Sequence, residues 1–89
     1  MKYEPLPTFC NCSKTAIEWA LDKLRKLHGI KLVYTLYVSN SEFLYVRHTV
    51  QELNGWLPPQ INLEVDPEIP GEGWYLSDGI SAVGSPGVS

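Results

Sequence analysis

Residues 14–38 read KTAIEWALDKLRKLH-G-IKLVYTLYV: an amphipathic helix, a glycine stop and a strand in direct succession. Ile17, Ala20, Leu21, Leu24, Leu27 and His28 recur at i, i+3, i+4 and i+7 and fall on one stripe. Ser13 or Thr15 can cap the start, and Thr15 with Glu18 makes a T-x-x-E capping box. Lys23, Arg25 and Lys26 crowd the last turns, where cations complement the carbonyl end of a helix. Gly29 follows as the stop. The spacing predicts a helix over 14–28. Residues 30–38 are β-branched and aromatic on both alternating faces, the pattern of a central strand.

Outward from this core the pattern becomes shorter. Ser39-Asn40-Ser41 is turn chemistry, and FLYVR at 43–47 reads as a return strand, so 30–47 is expected to be a hairpin. Thr49 and Glu52 form a second capping box. With Val50, Leu53 and Leu57 they predict one or two helical turns, ended by Gly55 and Pro58-Pro59. QINLEV at 60–65 alternates as a half-buried strand, DPEIPGEG at 66–73 is loop, and Trp74-Tyr75-Leu76 is a short last strand before Asp78-Gly79. Residues 1–12, with Pro5 and Pro7, read as an extended arm. The small, uncharged residues 80–89 read as a flexible tail. The expected architecture is one α+β domain over 1–89. One long amphipathic N-terminal helix packs on a small, mainly antiparallel sheet of three to four strands, with a short second helix.

Composition narrows the function classes. The chain has 89 residues, a formal charge of −3 and no apolar run of the ~20 residues that span a bilayer. No secretory signal begins it, so the expectation is a cytoplasmic protein without a membrane partner. The charge is uneven. Residues 1–48 hold all 7 basic side chains and a net +3, whereas residues 49–89 hold 6 acidic ones, no Lys or Arg, and a net −6. Such a split sets opposite fields on different surfaces and is a statement about partners.

Three chemistries can be tested against the residues. Cys10 and Cys12 precede the helix, whose positive end stabilises a thiolate. A single residue between them makes a mutual disulfide strained. Together with His28 and His48 they are four zinc-compatible side chains, but the spacing matches no common ligand pattern, and no metal or cofactor is assigned. A thiol or zinc protein therefore stands as one alternative. No nucleophile-elbow or phosphate-cradling motif is present, and no catalytic residue is assigned. The first alternative, ahead of the thiol or zinc reading, is nucleic-acid binding through Lys23, Arg25 and Lys26 with Trp19 as a stacking ring, against which stands the overall acidity.

The leading expectation is a non-enzymatic protein–protein interaction module of adaptor or inhibitor type. Its surface would be the acidic, aromatic segment carrying Asp66, Glu68, Glu72, Trp74, Tyr75 and Asp78, and its partner a protein with a basic surface. An exposed edge at 43–47, guarded only by Arg47, would also allow a two-fold homodimer.

Overall fold

A computed structural model describes residues 2–5 (by their backbone), 12–55, 60–69 and 71–85. Their order is β1 (Lys2–Pro5), α1 (Lys14–His28), β2 (Val33–Val38), α2 (Phe43–Asn54), β3 (Gln60–Val65), β4 (Trp74–Ser77) and β5 (Ser81–Ser85). The strands form one mixed sheet in the order β1-β5-β4-β2-β3. β1 runs parallel to β5 and β2 parallel to β3, while β4 is antiparallel to both of its neighbours. The class is α+β, with the long amphipathic helix packed on the sheet.

The helix over 14–28 forms as its sequence dictates. Ser13 is the cap: its Oγ accepts the Ala16 N–H at 3.2 Å. Gly29 ends the helix at φ 80°, where its N–H donates to the Arg25 carbonyl. Ala16, Ile17, Ala20, Leu21 and Leu24 are buried. Leu27, on the same stripe, is exposed because it lies in the last turn, past the buried part of the helix face.

The segment 43–47 is not a return strand, and the hairpin expected over 30–47 does not form. Phe43–Asn54 is one continuous helix. Val46 and Val50 are buried, and Phe43 and Leu53 pack half-buried against the same core. The spacing 43, 46, 50, 53 is helical, and it overrides the strand preference of Phe, Tyr and Val. Residues 49–52 therefore lie inside α2 instead of starting it. The link from β2 to β3 becomes a crossover through a helix, which is why these strands pair parallel. The homodimer edge expected at 43–47 is likewise absent.

Both chain ends contribute strands. Lys2–Pro5 of the expected arm pairs with β5. Ser81–Ser85 of the expected tail is a strand between β1 and β4 in which residues 82–85 are buried. Its small residues suit a close approach: a Cβ on Gly84 would run into the Trp74 carbonyl on the neighbouring strand.

One face of the sheet makes the core. Register aligns Tyr34 with Ile61, Leu36 with Leu63 and Leu76, Val38 with Trp74, and Leu76 with Val83. These residues cluster with the buried stripe of α1 and with Val46 and Val50 of α2, so both helices cover this face. The other face presents Thr35, Tyr37, Asn62, Glu64 and Tyr75. Asn54 closes the last turn of α2 onto the edge strand. Its Nδ2 donates to the Ile61 carbonyl at 2.9 Å and its Oδ1 accepts the Ile61 N–H at 2.8 Å. No helix among the described residues is long and apolar enough to cross a membrane.

Candidate functional site: an acidic end

The register gives the molecule two ends. β2 and β3 finish at Val38 and Val65, beside the start of β4 at Trp74. The first turn of α1 arrives at this same end, since Cys12, Ser13, Glu42, Tyr45 and Glu72 line one cleft of about 330 Å³. Four carboxylates collect here: Glu42 just before α2, and Asp66, Glu68 and Glu72 in the loop from β3 to β4.

Short polar side chains wire this loop down. Ser39 Oγ and Ser41 Oγ both donate to the Gly71 carbonyl, at 2.6 and 2.7 Å, and the Ser39 N–H donates to the Gly73 carbonyl. The Asp66 N–H donates to the Val38 carbonyl, so the loop leaves β3 tied to β2. Asp66 then organises its own turn: Oδ1 accepts the Glu68 N–H at 3.0 Å and Oδ2 accepts the Tyr75 hydroxyl at 2.9 Å. Tyr75 stacks on Tyr37 with ring centroids 4.8 Å apart. Beside this pair, Thr35, Tyr37, Asn62, Glu64, Val65, Asp66 and Pro67 enclose a shallow concavity of about 400 Å³ on the open face.

Burial and neighbouring carboxylates act in the same direction on three groups at this end. Burial, and then the charge of Glu72, raise the Glu42 carboxyl above its ordinary range. Tyr75 is pushed up to about 12 by burial, by its hydrogen bond to Asp66, and by the charges of Asp66 and Glu68. Burial and the Glu42 carboxylate push the Cys12 thiol up as well. Among the described residues, Glu42, Glu68 and Glu72 make no ion pair. The pairs Lys26–Asp22 and His48–Glu52 lie on the helices.

The residues singled out from the sequence divide between three places. Asp66, Glu68, Glu72 and Tyr75 do come to one end. Trp74 starts β4 but points into the core with no exposed surface, so it cannot be a contact residue. Asp78 lies beyond the far end of β4, because that strand crosses the sheet between them. Glu42, Glu64 and Tyr37 join the site, although none of them is among the candidate residues read from the sequence. Glu42 would have been found by reading α2 as a helix from residue 43.

The alternatives can be placed in the same way. The helix N-terminus does not activate Cys12: the thiol is buried beside a carboxylate and stays protonated. Cys10 lies outside the described residues. Among those described, no group of three or more His, Cys, Asp and Glu side chains could hold a metal ion. On the basic helix, Lys23 sits 5.3 Å from the Trp19 ring centre and Lys26 lies 3.1 Å from Asp22, while Arg25 is half-buried.

At the far end, His28, Ser81 and Asp78 meet. His28 Nε2 and Ser81 Oγ are 2.9 Å apart, and Asp78 Oδ1 accepts the N–H groups of Ile80 and Ser81. Burial works against ionising Asp78. The two backbone hydrogen bonds and the charge of His28 outweigh it and hold the carboxyl below its ordinary range. A nucleophilic serine also needs free donors for the developing oxyanion. The N–H of Gly79 donates to Ser77 Oγ, and those of Ile80 and Ser81 are spent on Asp78. The trio ties α1 to the β4–β5 turn. Comparison with protein-family models, curated proteins and solved structures finds no match for this chain.

Proposed function

We propose that the protein is a non-enzymatic interaction module that docks a basic partner protein on its acidic end and the adjoining open sheet face. One observation carries this reading: Glu42, Asp66, Glu68 and Glu72 are gathered at one end with no ion pair to Glu42, Glu68 or Glu72 among the described residues. Like charges held together cost stability, and a partner that brings Lys or Arg to them recovers that cost as affinity and on-rate. Tyr37 and Tyr75 add flat aromatic surface beside Glu64 and Asp66, the composition that receives a cationic side chain.

The test uses a short lysine- and arginine-rich peptide against a serine- and glycine-rich peptide of the same length. Two variants remove equal charge: Glu42→Gln/Glu68→Gln/Glu72→Gln at the acidic end, and Glu18→Gln/Asp22→Asn/Glu52→Gln elsewhere. The expected result is selective binding of the basic peptide that weakens with salt. The first variant should lose about tenfold or more, equivalent to ~1.4 kcal/mol, and the second should stay within about twofold. Equal losses in both variants would reduce the effect to bulk charge and refute the reading.

A further inference from the structure

The sheet has β1 and β3 at its edges, and part of the β3 edge is open. The N–H groups of Gln60 and Asp66 donate towards β2, to the Leu32 and Val38 carbonyls, each at 2.9 Å. Peptide groups alternate in direction along a strand. Asn62 and Glu64 therefore face β2 as well, while Ile61, Leu63 and Val65 turn their N–H and C=O groups outward. The Asn54 amide takes both groups of Ile61, standing in for a neighbouring strand. Pro67, next in the outward series, has no N–H to offer. The open edge is thus 63–65, where the outward groups of Leu63 and Val65 meet no hydrogen-bond partner among the described residues. Leu63 and Val65 are half-buried and alternate onto the helix-covered face. Glu64 is exposed on the other face, in register with Tyr37 and, across β2, with Tyr75. Among the described residues Glu64 makes no ion pair, and Arg47 of α2 lies in the helix layer, on the opposite side of the sheet.

We propose, resting on the docking reading above, that this edge takes up an extended strand of the basic partner, one in which Lys or Arg alternates with apolar residues. Outward N–H and C=O groups at strand spacing are matched by another extended backbone, which makes the occupant a strand. A residue set opposite Glu64 falls on the open face. A cation there meets an exposed carboxylate, with the concavity lined by Tyr37, Asn62 and Asp66 beside it. The residues before and after it fall beside Leu63 and Val65, which apolar side chains cover. A second copy of the chain fits less well. The two-fold antiparallel register that uses both Leu63 and Val65 sets Glu64 of one copy directly opposite Glu64 of the other, and like charges so placed repel.

The experiment follows amide hydrogen exchange of the full chain with a peptide that alternates Lys or Arg with Val. In the free protein the Leu63 and Val65 amides should exchange fast and those of Asn62 and Glu64 slowly. The peptide should slow exchange at Leu63 and Val65 by about tenfold or more. Two further peptides carry backbone N-methyl groups, one on every valine and one on every basic residue. Only one of these sets faces β3 in a given strand direction. One methylated peptide should therefore lose about tenfold or more in affinity, and the other should stay within about threefold. Glu64→Gln, at an exposed position, should weaken the unmethylated peptide several-fold. Peptide binding that leaves the Leu63 and Val65 amides unchanged and tolerates both methylation patterns would overturn strand addition while docking on the acidic end stands. No selective binding of any basic peptide would refute both. A concentration-dependent dimer that protects the same amides without peptide would overturn the proposal in favour of self-pairing.

Discussion

Replacing Asn54 by alanine tests the crossover from β2 through α2 to β3. The side chain makes two hydrogen bonds to the backbone of Ile61, at 2.9 and 2.8 Å, and Ile61 is buried at 3% exposure. Each bond contributes about 0.5–1.5 kcal/mol net, and a buried backbone group left without a partner costs about 1–3 kcal/mol. The better helix propensity of alanine returns roughly half a kcal/mol. The expected loss for Asn54→Ala is therefore about 2 kcal/mol, or roughly 8–16 °C in melting temperature for a domain of this size. Urea denaturation should show a lower midpoint at an unchanged slope. Hydrogen exchange at the Ile61 amide should quicken by more than global destabilisation accounts for. Asn54→Asp sharpens the test. Its carboxylate still accepts from the Ile61 N–H but faces the Ile61 carbonyl without a proton, so the folded state raises its pKa. Stability of that variant should then be lowest near neutral pH and recover as the pH falls through the raised value, the recovery complete by about pH 4, where the acid donates again. An Asn54→Ala protein within about 0.5 kcal/mol of wild type, with unchanged exchange at Ile61, would show that α2 is not clasped to β3 and would refute the reasoning.

Gly84→Ala should destabilise by about 3 kcal/mol or more, because its Cβ meets the backbone of Trp74 and not a yielding side chain; a thermal melt decides it. Glu42→Gln removes a carboxyl whose folded pKa is raised by burial and by Glu72. The folded state holds that proton more tightly, so the wild type loses stability as the pH rises through the ordinary glutamate range to the raised value. The variant should match wild type below about pH 4 and exceed it at neutral pH, read from urea midpoints across pH. Ultraviolet titration should show one tyrosine ionising near 12, and Asp66→Asn should bring it down by removing the charge it donates to.

The parts of the fold legible in the sequence are those whose signals are local. α1 announces itself through its stripe, the Ser13 cap and Gly29, all within its own length. Residues 43–47 of α2 read as a strand because Phe, Tyr and Val favour strands, and the helical spacing that settles the matter extends to residue 53. β5 was illegible for another reason. Ser-Ala-Val-Gly-Ser looks like a tail in isolation, and its smallness has meaning only against Trp74 on the neighbouring strand. The acidic loop was visible as composition. Which of its neighbours share the surface depends on strand direction: Trp74 turns inward, and the four residues of β4, spanning ~13 Å, carry the chain away from Glu72 to Asp78.

That same geometry changes the meaning of the charge asymmetry. By sequence the split is between halves, and two oppositely charged halves facing each other would cancel. In the fold each half runs the length of the sheet. α1 descends from the acidic end to the opposite one, and β4 carries the chain from Glu72 to Asp78. The two halves therefore do not face each other as two charged blocks. Glu42, from the basic half, sits with Glu72, and Asp78, from the acidic half, sits with His28. Cancellation would have joined α1's lysines to the loop carboxylates in short ion pairs. Instead Lys26 pairs with Asp22 on its own helix, and Glu42 is raised by burial and then by Glu72. A chain of this length has little stability to spare, and relieving the repulsion would take a single Glu-to-Gln change at residue 42 or 72. Under the proposed docking reading this repulsion is what a basic partner relieves, and a stabilised Glu42→Gln protein that bound the basic peptide as well as wild type would remove that explanation.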